Sequence, residues 1–265
     1  MSKRSSVMGS IGFVTSSLFL AGSLSFASPT GADQVVIYNG PSVKIGEGTA
    51  HTFVNLDAAG KPVAIGVKFS ESALRGLPAA SHQGPERYEY RLNLPEEAKG
   101  TGYDHVGFDW NPAGHIPNGV YDTPHFDVHF YLINEAERNF ITAVGNDADT
   151  ANRQPDAPHM PKGYVLPPGT ETPRMGSHAI DPSSGEFNGK PFTATFIYGF
   201  YDGRMIFLEP MVSQAYLEAR PDFAAAVAAP DEYSLQAYYP TQYRVRYDDQ
   251  EQGFVISLEN LVSKK

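Results

Sequence analysis

The run Pro124-His125-Phe126-Asp127-Val128-His129-Phe130-Tyr131 alternates strictly between ionisable and apolar residues. Successive side chains of a strand point to opposite faces. The segment therefore predicts a strand with Phe126, Val128 and Phe130 on one face and His125, Asp127 and His129 on the other. A polar strand face ordinarily meets water. Two imidazoles and a carboxylate on one face instead form a donor set for a metal ion. Geometry limits how they share it: residues two apart are separated by roughly 6.6 Å and residues four apart by about 13 Å. One ion held by both His125 and His129 requires a bulge, a strong twist or convergent rotamers. The simpler arrangement pairs Asp127 with one neighbouring histidine and completes the site from other segments. A carboxylate in the middle can also orient an imidazole without touching the ion.

The rest of the chain predicts more strands, because β-branched and aromatic residues cluster in short runs bounded by Gly, Pro and Asn. They fall at residues 34–38, 50–56, 63–69, 87–94, 105–110, 125–133, 192–200, 204–209, 242–247 and 253–258. Asp202-Gly203 is a hairpin signal between two of them. Helical signals are few. Ser70 caps a short turn, and residues 212–228 have helical composition interrupted by Pro221. Residues 146–190 are rich in Pro, Gly, Asn and Asp, and carry His159 and His178. A connection of that length is a linker or a functional loop, and we read it as a loop laid across the mouth of a sheet or barrel. The expected architecture is mainly β: one domain over residues 28–265, a β-barrel or β-sandwich with a short helical excursion near the C-terminus.

Residues 1–27 read as a secretory signal: Lys3 and Arg4, an apolar run interrupted by Ser and Gly, then Ser25-Phe26-Ala27 as a cleavage site. The mature form is expected in the periplasm or outside the cell after cleavage near Ala27, with no membrane span. The chain has 20 Lys and Arg against 30 Asp and Glu, a net charge of −10 that argues against nucleic acid as a partner. With no cysteine, thiolate metal sites, disulfides and cysteine nucleophiles are excluded, so any metal must be held by His, Asp, Glu or backbone oxygen.

The further ligand candidates are His178, in Gly176-Ser177-His178, and Glu209, which ends an apolar strand after Phe207 and Leu208. A carboxylate beside such residues is either at an exposed strand end or coordinated. The expected ligand set is thus His125, Asp127, His129, His178 and Glu209, with His115 as a neighbouring group or acid/base. Mixed imidazole and carboxylate donors suit one divalent ion of zinc, manganese or iron. His51, His82, His105 and His159 have no partner pattern. Nucleotide-binding glycine loops and the Gly-x-Ser-x-Gly elbow are absent. Three His and one Glu match the ligands of cupins in kind and order, although not in spacing; α-carbonic anhydrases are a similar loose analogy.

The run Gly107-Phe108-Asp109-Trp110-Asn111-Pro112-Ala113-Gly114-His115 followed by Pro124-His125-Phe126-Asp127-Val128-His129-Phe130-Tyr131 resembles a family of bacterial proteins of unknown function, mostly exported or stress-associated. The similarity continues through Gly176-Ser177-His178, Phe196-Ile197-Tyr198-Gly199, Phe207-Leu208-Glu209-Pro210-Met211 and Tyr238-Tyr239-Pro240-Thr241-Gln242-Tyr243. It implies a family assignment and no activity. The residues themselves favour an extracytoplasmic metal-binding protein, with open coordination that suits a metalloenzyme. The alternatives are a non-catalytic envelope protein whose 15 Tyr and 16 Phe surround a small apolar ligand, and a stress-related homo-oligomeric assembly.

Overall fold

The computed structural model describes residues 35–80 and 87–264. The expected signal segment and His82 lie outside the described residues. In chain order the first strands are β1 (Val36–Asn39), β2 (Val43–Ile45), β3 (Gly48–Leu56), β4 (Pro62–Ser70), β5 (Tyr88–Asn93), β6 (His105–Asn111) and β7 (His125–Tyr131). Two short helices follow, α1 (Glu135–Phe140) and α2 (Asn146–Ala151), then β8 (Ser177–Ala179), β9 (Ala194–Tyr201) and β10 (Arg204–Ser213). The last elements are α3 (Gln214–Glu218), β11 (Asp222–Ala226), β12 (Ala237–Tyr239), β13 (Gln242–Asp248), β14 (Gly253–Glu259) and β15 (Val262–Lys264).

Two antiparallel sheets account for most of these. The first has the order β1-β3-β4-β14-β13-β11, with β2 also paired to β3; the second has the order β5-β6-β7-β10-β9-β8; β12 and β15 form a separate ribbon. Among the described residues neither large sheet closes on itself, so the mainly-β expectation resolves to a sandwich and the closed barrel is not realised. The alternation seen in the sequence explains the packing. Phe126, Val128 and Phe130 of β7 and Val106, Phe108 and Trp110 of β6 share one buried cluster with Ile65, Val67 and Phe69 of β4 and Ile256 of β14. Phe69 lies 5.2 Å from Phe108 and 5.9 Å from Phe126 between ring centroids, which ties the first sheet to the second.

The excursion expected over residues 212–228 is present but shorter than its composition suggests. Only Gln214–Glu218 is helical, and β11 follows as an edge strand beside β13. Pro221 stops the helix, and the alternating Asp222 to Ala226 finds ladder partners that propensity alone does not foresee. Asp202 and Gly203 both have positive φ, 54° and 71°, as a tight hairpin turn between β9 and β10 requires.

The inner strands of the second sheet are buried on both faces: every residue of β6 and β7 is buried, and all of β10 beyond Arg204. Its far face is covered by the connections that follow β6, β7 and β8, including α1, α2 and part of the Pro/Gly-rich segment. That cover supplies two small apolar clusters. One joins Tyr131 and Phe207 to Ile133, Ile141 and Met175; the other joins Ile197 and Met211 to Tyr121 and Phe192. On β10, Glu209 lies between Phe207 and Met211 on this face, so the ionisable residues are flanked by apolar packing.

Helix α1 is fastened by a capping box between Asn134 and Glu137. It delivers Arg138, 0% exposed, onto the Tyr131 ring at 4.1 Å and into a two-pronged pair with Glu89 at 2.6 and 3.0 Å. Removing one partner of a buried pair leaves the other charge uncompensated. Arg138→Ala should cost about 3–5 kcal/mol in urea unfolding. A loss under 1 kcal/mol would show that Glu89 keeps an adequate partner in Arg174, which also reaches it at 2.9 Å.

Candidate metal centre

Register sets the site. Between β6 and β7, Asn111 pairs with His125, Asp109 with Asp127, Gly107 with His129 and His105 with Tyr131. Between β7 and β10, Asp127 pairs with Met211 and Tyr131 with Phe207, which sets His129 across from Glu209. Gly107 leaves room there: a Cβ on it would sit 3.3 Å from the Tyr131 ring and 3.7 Å from His129 Nδ1. On the far side, His178 of β8 pairs with Gly199 of β9, and Phe207 occupies the space a Cβ at Gly199 would need.

The candidate ligands gather in two triads: His115, His125 and Asp127, and His129, His178 and Glu209. In the first, His125 Nε2 lies 3.2 Å from Asp127 Oδ1 and His115 Nε2 lies 3.3 Å from Asp127 Oδ2. In the second, His129 Nε2 lies 3.3 Å from Glu209 Oε1 and His178 Nε2 lies 3.9 Å from Glu209 Oε2. Tetrahedral zinc with bonds of about 2.0–2.1 Å places neighbouring donor atoms about 3.3–3.4 Å apart. His125 and His129, four residues apart on β7, thus belong to different triads. His115, expected as a neighbouring group, offers its own donor atom to the first.

Three of the four imidazoles have their tautomer set by the main chain. His115 Nδ1 is 2.7 Å from Ile116 O, His125 Nδ1 is 2.7 Å from Thr123 O, and His178 Nδ1 is 2.9 Å from Thr170 O. A carbonyl only accepts, so each Nδ1 carries the hydrogen and each Nε2 turns toward a carboxylate oxygen. Among the described residues, the buried His125 Nε2, Asp127 Oδ1, His129 Nδ1 and Nε2, and Glu209 Oε2 have no hydrogen-bond partner. Lone pairs aimed at carboxylate oxygens in a dry interior repel unless a proton or a cation lies between them. Asn111 Nδ2 donates to Asp127 Oδ2 at 2.7 Å and fixes that carboxylate.

Electrostatics separates the triads. Burial pushes Asp127 up, but the His125 and His115 imidazoles outweigh it and hold the carboxyl well below its usual range. Burial works to lower His115, and the Asp127 charge more than reverses that. In the second triad burial wins: Glu209 is pushed well above the carboxylate range, further raised by Asp127 and Asp109, while His129 is held well below the usual imidazole value. Burial takes His178 down to about 4. The first triad is also the more open, with the His115 side chain 33% exposed against 16% for His178, the most exposed member of the second.

The Pro/Gly-rich segment contributes His178 through β8; His159 stands in a separate turn outside both triads. Two residues outside the expected ligand set also stand at the site: Asn111, and Asp109, which is fully buried with neither carboxylate oxygen hydrogen-bonded among the described residues. Their signal was present: His105-Val106-Gly107-Phe108-Asp109-Trp110-Asn111 repeats the alternation of β7 one strand away.

A family model described as "TTHB210-like: Hypothetical protein TTHB210" matches residues 57–110. Over that stretch the chain resembles an uncharacterised family. The match runs through β4, β5 and most of β6, and stops before the β7 donors. No curated protein and no solved structure matches the chain.

Proposed function

We propose that this is an exported protein that binds divalent transition-metal ions, one in each triad, with the His115 triad as the reactive position. The observation that carries the reading is the paired orientation of the histidines: Nδ1 committed to a main-chain carbonyl, Nε2 facing a carboxylate 3.2–3.9 Å away. Metal-bound imidazoles are held in this way from behind. Two nitrogens and one oxygen suit zinc, manganese or iron.

Three protein donors leave a further coordination position, and at the His115 triad that position lies nearer to solvent. An ion there supplies a Lewis acid that polarises a bound carbonyl or activates water. The chain's own contributions are to fix Asp127 through Asn111, to set the imidazole tautomers, and to wall the site with Tyr121 and Phe192, which pack on His125 at 6.4 and 5.4 Å. Export rests on the charged, apolar and small-residue order of residues 1–27.

The test is elemental analysis of mature protein purified from the periplasm without chelator or polyhistidine tag. We expect one ion per triad, His115→Ala to lose one and His178→Ala to lose the other. Metal-free protein that refuses added zinc, manganese and iron would overturn the reading.

A further inference from the structure

We propose that Asp109 is the positioning residue for His129, doing through its carboxylate what main-chain carbonyls do for the other three imidazoles. The inference rests on the metal reading above. His115, His125 and His178 each have a carbonyl within 2.9 Å of Nδ1; His129 Nδ1 has no hydrogen-bond partner among the described residues. His129 stands in the middle of β7, where the neighbouring carbonyls belong to the ladder with β6 and β10. The residue facing it on β6 is Gly107, which has no side chain to offer.

The next residue on that face of β6 is Asp109, two positions along and therefore pointing the same way. Its Oδ2 lies 3.6 Å from His129 Nδ1, in a fully buried setting. Arg87 also reaches it, with Nε 3.6 Å from Oδ2, while Glu89 and Asp127 flank it on the adjacent strands. Neither contact is a hydrogen bond, and both Asp109 oxygens lack a hydrogen-bond partner among the described residues. An unpaired carboxylate and an unpaired imidazole nitrogen side by side are the two halves of a carboxylate–histidine–metal arrangement. When His129 Nε2 takes an ion with Glu209, Nδ1 must carry the hydrogen, and Asp109 is the acceptor within reach. Asp109 belongs to neither triad, so its part is to orient and not to ligate.

The experiment uses the mature chain with His115→Ala, which leaves the Glu209 triad as the one under study, and follows zinc binding by calorimetry after chelator treatment. Asp109→Leu should weaken binding about 10–100-fold, the range for lost orienting partners. Asp109→Asn, whose side-chain carbonyl still accepts from Nδ1–H, should lose less than about tenfold. In nitrogen-edited NMR of the zinc-loaded protein, a downfield His129 Nδ1–H signal should persist with Asp or Asn and vanish with Leu.

As a control of folding, Asp109→Leu with His178→Ala should bind zinc at the His115 triad as the parent does. Equal affinity for Leu and Asp at the Glu209 triad would overturn the proposal, as would complete loss of the ion in Asp109→Asn, which would make Asp109 a ligand. Should the His115→Ala parent take no zinc while the His178→Ala parent does, positioning of His129 fails and the metal reading survives at the other triad. Failure of both parents removes both.

Discussion

Adding zinc, manganese or iron to chelator-treated protein should raise its thermal unfolding midpoint by roughly 8–16 °C for each triad filled. The figure follows from linkage: an ion that binds only the folded chain, at a thousandfold excess over its Kd, stabilises by about 4 kcal/mol. A folded domain of roughly 150–250 residues responds by about 2–4 °C per kcal/mol. The donors support a response of this size because they already stand together. Asn111 holds Asp127, and carbonyls hold three of the four imidazoles, so little ordering remains to be done on binding. Glu209→Leu should remove the part of the rise due to the second triad and leave the first. Differential scanning fluorimetry against metal concentration measures both. A midpoint that ignores all three metals would leave the unpaired donors of β7 without the role given to them.

The second large effect concerns pH in the metal-free protein. Burial pushes Asp109 up to about 7, with Glu89 and Asp127 pushing the same way and Arg87 opposing them. Its folded-state value therefore lies above its unfolded value near 3.8. Between those values the folded chain retains a proton that the unfolded chain has released, so this stabilising contribution is full below about pH 4 and is lost as pH rises through about 7. His178 acts in the opposite sense. Lowered to about 4, it favours the folded state above the ordinary imidazole value and loses that contribution as pH falls toward 4.

The two partly cancel in the parent, so the difference between variants is the informative quantity. Asp109→Asn has no such proton to lose. Its stability relative to the parent should rise between about pH 4.5 and 7.5 by roughly 3 kcal/mol, since each pH unit over which only the folded chain holds the proton is worth about 1.4 kcal/mol and that window closes near pH 7. Urea midpoints in chelator at the two pH values give the answer. A difference that does not change with pH would mean that Arg87 keeps Asp109 ionised throughout.

The polar face of β7 was legible in the sequence because a strand has a period of two and the residues alternate without a break from His125 to Phe130. The strand runs were legible for the same reason, and the sandwich was half legible, as one of two closures that the same runs allow. What the alternation does not carry is register. That His129 faces Glu209, some 80 positions later, depends on how β7 and β10 slide past each other, and a slip of one residue would turn every side chain over. The pairing of Asp109 with Asp127 was hidden in the same way, although both strands were expected. The carbonyls of Ile116, Thr123 and Thr170 that set the histidine tautomers belong to loops, where no periodicity announces them. The strand β11 reads as helix in the sequence because its run of alanines carries little signal until β13 supplies ladder partners.

The strand that carries His178 is three residues long and lies at the edge of its sheet. Short edge elements open at less free energy than the strands inside, and they do so independently of global unfolding. An ion held by the Glu209 triad would therefore leave at a rate set by the fraying of Ser177–Ala179 together with the turn at Thr170, since the remaining donors are shut in on both faces. Each 1.4 kcal/mol added to or taken from that opening changes the residence time about tenfold. Kinetic retention of such an ion would thus be adjustable from a loop, without touching a single donor atom.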